Sequence, residues 1–148
     1  MSQLAIATAA LFTGAALVIY MLALVALYVL YVVGYWRIFT KAGEAGWKSI
    51  VPFLNVYTEF KVTWMSSIFW LWLALEVLGA IFGSNQSNPG LIGSLISIAS
   101  LVLHVIACNK MSKAFGKGLG YTIGLIFLEP FFIMALGFGD AAYQGPQE

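Results

Sequence analysis

From Leu4 to Tyr35 the chain carries no charged residue, and this stretch narrows the possible folds more than any other feature of the sequence. At about 1.5 Å per residue, a helix over it reaches roughly 48 Å, well beyond a hydrocarbon core of about 30 Å. Such a helix must tilt, protrude or break, and Gly14 is the natural break. That leaves a short interfacial entry and a first span over about 15–35, closed by an aromatic belt of Tyr28, Tyr31, Tyr35 and Trp36. The stretch has no positive n-region ahead of it and far exceeds the h-region of a secretory signal, so it reads as a retained span.

The segment 36–61 is too polar to cross, yet it holds Trp47, Phe53, Tyr57 and Phe60 and is interrupted by Gly43, Gly46 and Pro52. It is expected to lie in the interface. Trp47, Ile50, Val51 and Leu54 share one side at helical spacing, which predicts an interfacial helix over 46–57 that ends or bends near Pro52. Further spans are expected at about 62–82, 91–108 and 119–138. A turn-rich, uncharged loop separates the first two of these, a basic loop over 109–117 the last two, and a polar tail follows. The expectation is an all-α polytopic membrane protein: one membrane domain over 1–148, with four transmembrane helices and an interfacial segment between the first and second.

Composition agrees. The chain is 61% hydrophobic and 9% charged, against about 25% charged for a soluble domain. A net charge of +1 argues against nucleic acid as a partner, because a phosphate footprint needs clustered basic residues. The single cysteine, Cys108, excludes an intrachain disulfide and a four-cysteine metal site. No lipidation signal is visible. No metal or cofactor is expected.

Orientation follows from the basic residues. Arg37, Lys41, Lys48 and Lys61 fall between spans one and two, and Lys110, Lys113 and Lys117 between spans three and four. Cytoplasmic loops are enriched in Lys and Arg, so both basic loops are expected in the cytoplasm. With four spans, both termini would then lie outside the cytoplasm, in a multi-pass protein of the inner membrane.

Three ionisable residues fall within spans, where their insertion cost makes them functional candidates by default: Glu76, His104 and Glu129. Counted along straight helices from the basic loops, the two carboxylates lie at similar depth and would share a layer if their helices face each other. His104 falls about two turns nearer the cytoplasm, a spread that argues against a compact three-residue site. Each also has a purely structural reading: a protonated carboxyl bonded inside the bundle, or a packed histidine. Gly79 and Gly83 on span two, Gly93 on span three, and Gly120 and Gly124 on span four predict close helix packing, and Pro130 directly after Glu129 predicts a kink. The glycine-rich Lys113–Gly120 stretch looks like a phosphate cradle, but no strand precedes it and its spacing matches no nucleotide fingerprint. Lys110, Lys113 and Lys117 are therefore read as contacts to lipid headgroups, with a soluble anion as the alternative. No serine or cysteine comes with the base and acid of a hydrolase in a local motif.

The stretch from Trp36 to Tyr57, with Arg37, Lys41-Ala42-Gly43-Glu44-Ala45-Gly46-Trp47-Lys48 and Val51-Pro52-Phe53-Leu54-Asn55, resembles the signature of an uncharacterised bacterial family of small membrane proteins, classed as a domain of unknown function. A second block, Lys113-Ala114-Phe115-Gly116-Lys117-Gly118 with Gly124 to Leu128 and Leu136 to Asp140, is similar to that family's C-terminal span and end. The first block also resembles membrane segments preceding some signal peptidases, but the extracytoplasmic serine–lysine domain is absent, so that activity is not implied. The resemblance runs from about Tyr28 to Tyr143 and implies a common topology without an activity.

Two functions remain in view. One is a non-enzymatic module that packs with itself or with a membrane partner, and the other is a small oligomeric transporter or channel that uses the intramembrane carboxylates. They differ in one observable: whether polar side chains of the later spans meet at a cavity.

Overall fold

The computed structural model describes residues 2–83 and 90–148. Its elements are α1 (Gln3–Lys41), a 3-10 turn (Gly46–Ser49), α2 (Pro52–Thr63), α3 (Ile68–Phe82), α4 (Gly90–Ala114) and α5 (Leu119–Phe138). No strand is present among the described residues. Three helices, α1, α4 and α5, are long and apolar enough to cross a membrane, and α3 is shorter. The loop expected between the second and third spans falls largely on residues 84–89, outside the described residues.

Helix α1 does not break at Gly14. It runs for 39 residues from a Ser2 cap, a length of about 58 Å. One interior glycine costs only about 1 kcal/mol against alanine, too little to end a helix whose other residues are strong apolar formers. No atom comes within 4 Å of where a Gly14 side chain would start.

The second expected span is not one helix. Pro52 opens α2 instead of bending it, since a proline at the first helical position lacks only an amide that would have no partner there. The helix then stops at Thr63, and Trp64 leaves helical geometry. The stop has a tertiary cause. The Val62 and Thr63 carbonyls accept from the Tyr143 hydroxyl (2.6 Å) and the Gln147 amide (2.9 Å) of the C-terminal tail, in place of the amides of a continuing helix. Helix α3 restarts at Ile68 with 15 residues, about 22 Å, and packs along α4.

Helix α4 continues past Cys108 and carries Lys110 and Lys113 in its last turns, so the basic connection shrinks to the turn at Gly116. There a φ of +67° reverses the chain, as glycine alone does without strain. The Gly116 and Lys117 amides bond back to the Lys113 and Ser112 carbonyls, each at 2.9 Å.

The largest departure is α5. Its bounds agree with the expected fourth span, but Leu128 sits at φ −133°, ψ 42°, and the helix doubles back there. The Tyr121 and Phe132 rings meet edge to face with centroids 4.8 Å apart, and the Tyr121 hydroxyl donates to the Phe132 carbonyl at 3.3 Å. A straight helix would hold these residues about 16 Å apart along its axis. Pro130 supplies the local cause, since it has no amide to donate, its ring clashes with the carbonyl four residues back, and it disfavours helical geometry in the residue before it. The result is a helical hairpin of two short arms with Glu129 at its tip.

The returning arm runs parallel to the end of α1. At their crossing a Cβ on Gly137 would stand 2.5 Å from the Gly34 carbonyl oxygen, so the two backbones touch through glycine. Lys41 seals the arm's end by donating to the carbonyls of Leu136 (2.6 Å), Gly139 (2.7 Å) and Ala141 (3.2 Å). The tail then crosses the same end of the molecule, where the Gln144 amide donates to the Ala114 carbonyl (2.7 Å) and Lys110 to the Glu148 carbonyl (2.7 Å). The tail therefore shares an end with the basic residues, and Gln3 begins α1 at its far end. The expectation placed both termini opposite the basic loops, whereas in the fold the tail packs at the end that carries them. The even count of spans behind that expectation assumed that 119–138 crosses once.

The core sits at this basic end, around Ile38, Phe39, Met111, Ala114, Leu125 and Leu136. The N-terminal three-quarters of α1 is exposed apart from Ala5.

Candidate functional site

Tyr31 and Tyr35, four apart on α1, stand on one face with rings edge to face at 5.1 Å. They point to the hairpin tip, where the Tyr31 hydroxyl donates to Glu129 Oε1 at 2.7 Å. The Tyr35 hydroxyl lies between two carboxyls, 3.2 Å from Glu59 Oε2 and 3.4 Å from Glu129 Oε1. One hydroxyl has one proton to donate, so it bridges an acid of α2 and an acid of α5. Burial is the main cause that pushes the Glu59 carboxyl up to about 8, with the negative charge of Glu129 adding to it and the Tyr35 hydrogen bond opposing it.

Tyr35, Glu59 and Glu129 line a cavity of about 420 Å³, and Tyr31 reaches them through its bond to Glu129. Glu76 of α3, Ser100, His104 and Cys108 of α4, Trp72, Phe60 and aliphatic side chains complete its lining. No lysine or arginine lines it among the described residues. On α4 the cavity extends from Ser100 to Met111, about 16 Å, which takes it from the level of Lys110 into the middle of the fold. His104 Nε2 is 3.6 Å from Cys108 Sγ. No three His, Cys, Asp or Glu groups among the described residues converge closely enough to hold a metal ion.

The structure thus brings Glu76, His104 and Glu129 to one cavity, although the sequence argument set His104 apart. That argument measured depth along straight helices from the basic loops, and the break between α2 and α3 and the fold-back at Leu128 invalidate the ruler for Glu76 and Glu129.

Two sets of functional groups were missed. Glu59 was assigned to an interfacial segment, although Val56, Glu59, Phe60 and Thr63 share one face of α2 at spacings of three and four, and the last two are buried. An acid on the buried face of an amphipathic helix was the available signal. Tyr31 and Tyr35, read as an aromatic belt, turn inward as hydrogen-bond donors.

The basic candidates do not converge. Lys110 is bound to the Glu148 carbonyl and lies 5.3 Å from the Trp64 ring centroid. Lys117 lies 5.7 Å from the Tyr121 ring, and Lys113 is exposed. The Gly116 and Lys117 amides, which a phosphate cradle would need, bond within the turn. Lys48 and Lys61 both pair with Glu44 at 2.5 Å, holding its carboxyl below the usual range and tying the 3-10 turn to α2.

The expected packing glycines divide. A Cβ on Gly79 would stand 3.8 Å from the Ile96 side chain of α4, and Gly93 is buried. Gly83 instead caps α3, Gly120 faces open space, and Gly124 leaves room for the Phe132 ring across the hairpin. Helices α1 and α5 approach through the Gly34–Gly137 crossing, which the glycine pattern within single spans did not show.

Residues 47–146 match the model of a family described as Family of unknown function (DUF5684). The chain belongs to that family. No curated protein and no solved structure matches it. The match begins later than the resemblance read from Tyr28, leaving α1 outside. Glu59, Glu76, His104 and Glu129 all fall within the DUF5684 segment, while Tyr31 and Tyr35 reach the site from outside it.

Proposed function

We propose that this DUF5684 protein is a non-enzymatic integral membrane protein that binds a cation, in exchange with protons, in the cavity between α2, α3, α4 and the α5 hairpin. The observation that carries this reading is the Tyr35 hydroxyl within hydrogen-bonding distance of both Glu59 and Glu129. Two carboxyls beside one hydroxyl, at a cavity that no lysine or arginine lines among the described residues, favour sharing a proton over two charges, and an entering cation relieves that constraint. Such a site serves a small transporter or carrier, which was the second of the two functions in view.

In the orientation favoured by the positive-inside rule, the basic end and the tail face the cytoplasm, and Gln3 lies outside. Helices α1, α3 and α4 cross, and α5 enters and leaves on the cytoplasmic side. The other function, packing with itself or a partner, is favoured by the long exposed face of α1, and an oligomer bearing the cavity satisfies both.

The test is a proton titration of the protein in lipid nanodiscs between pH 5 and 9. Wild type should show a step that Glu59→Gln and Glu129→Gln each remove or shift. Superimposable titrations of wild type and the double variant would contradict the reading.

A further inference from the structure

The kind of cation follows from the shape and walls of the cavity. A small inorganic ion needs several oxygens converging at about 2.3–2.6 Å. Here Glu59, Glu76 and Glu129 stand on three different helices, and no three His, Cys, Asp or Glu side chains among the described residues converge closely enough to hold a metal ion. The space of about 420 Å³ instead lies in the range of about 300–1,000 Å³ used for organic ligands. Its lining is mostly apolar and includes the aromatic side chains of Trp72 and Phe60, groups that can attract a cation through the ring quadrupole and an apolar body through burial. The cavity is not sealed, and Glu76, Leu101 and His104 at its wall are exposed.

From this geometry we infer that the cavity receives a monovalent amphipathic organic cation, with its charge at the Glu59–Tyr35–Glu129 cluster and its apolar body against Trp72 and Phe60. The inference rests on the cation-binding reading above and names the ligand class for it. Binding displaces one proton from the acid pair: the cation enters, one proton leaves to solvent, and the net charge of the site is unchanged. The titratable groups facing that pair are Tyr31 and Tyr35 of α1, Glu76 of α3, and His104 and Cys108 of α4. Among these, the acids of α2 and α5 share the Tyr35 hydroxyl and are the groups that exchange.

The probe is tetraphenylphosphonium, whose charge does not depend on pH, so any pH dependence belongs to the protein. The full chain in zwitterionic nanodiscs is titrated by calorimetry and tryptophan fluorescence, with empty discs subtracted. The expected result is saturable binding that tightens about tenfold per pH unit while one proton is displaced, with proton release measured in weakly buffered solution. Trp72→Leu should weaken binding severalfold without altering the proton titration, and Glu59→Gln should abolish the pH dependence. If a variant fails to fold, the wild-type proton release and pH slope still decide. No saturable binding while the Glu59-dependent proton step persists would overturn this inference and leave the cation-binding reading standing. Proton release by Na⁺ or K⁺ but not by the probe would overturn it in favour of a small ion. Loss of both the proton step and binding would contradict both readings.

Discussion

Helices α4 and α5 both qualify as membrane spans on length and composition, yet α4 runs straight for 25 residues and α5 folds onto itself at Leu128. The difference lies in what surrounds their polar groups. On α4, Ser94 and Ser97 bond to carbonyls of their own helix, which leaves the helix intact. On α5, Pro130 weakens the backbone at the point where Glu129 finds Tyr31 on a neighbouring helix, and glycine at positions 34 and 137 lets the returning arm close on α1. Apolar composition states that a segment belongs in the membrane. Whether it crosses depends on a few residues that favour returning.

The comparison breaks most readily at the glycine crossing. Gly137→Leu should destabilise the protein by at least the roughly 1–3 kcal/mol typical of overpacking, because the new side chain starts against the Gly34 carbonyl. Gly14→Leu, in open space on the same α1, should leave stability unchanged or slightly raised. Denaturation in detergent measures both, and equal losses would show that the crossing is not formed.

A second break is chemical. Cysteines at Tyr121 and Phe132, in a Cys108→Ala background, should be joined in high yield by a short thiol cross-linker, since the native rings touch. Cysteines equally spaced on α4, at Leu95 and Ile106, should not, since a straight helix keeps them about 16 Å apart. Joining neither pair would mean that α5 is straight.

Glu59 sharpens the comparison through pH. Its carboxyl titrates near 8 in the fold and near about 4.3 when unfolded, so the folded chain holds that proton more tightly. The stability this contributes is complete below the unfolded value and is lost as pH rises through about 8. Glu59→Gln should therefore flatten the fall in melting temperature between pH 5 and 9 and gain on wild type at the alkaline end. A pH profile parallel to wild type would contradict the assignment.

The smallest effect is expected at Glu44. Glu44→Gln loses two ion pairs near the surface and should cost at most about 1 kcal/mol, less at high salt. A larger loss would make the 3-10 turn a structural part of the site.

Much of the all-helical fold was legible because hydropathy is a local property. The bounds of the fourth apolar segment and the start of the third were readable for that reason, as were Glu76, His104 and Glu129 as polar intruders. What escaped depends on partners far along the chain. Helix α2 ends at Thr63 because tail residues take its last carbonyls. Tyr31 and Tyr35 serve as site residues only because α5 returns Glu129 to them, and Glu59 faces the cavity because α2 is pressed against α4. Pro130 was read as a kink, and no local rule distinguishes a kink from a reversal.

The reversal of α5 is tested most directly by labelling with a membrane-impermeant thiol reagent. Single cysteines at Gln3, Lys113 and Gln144 in a Cys108→Ala background should be compared in intact cells and in inverted vesicles. The account predicts that Lys113 and Gln144 react from the same side and Gln3 from the other, because the tail is bonded to the end of α4. Reaction of Gln144 together with Gln3, opposite Lys113, would show that 119–138 crosses the membrane once and would contradict the hairpin.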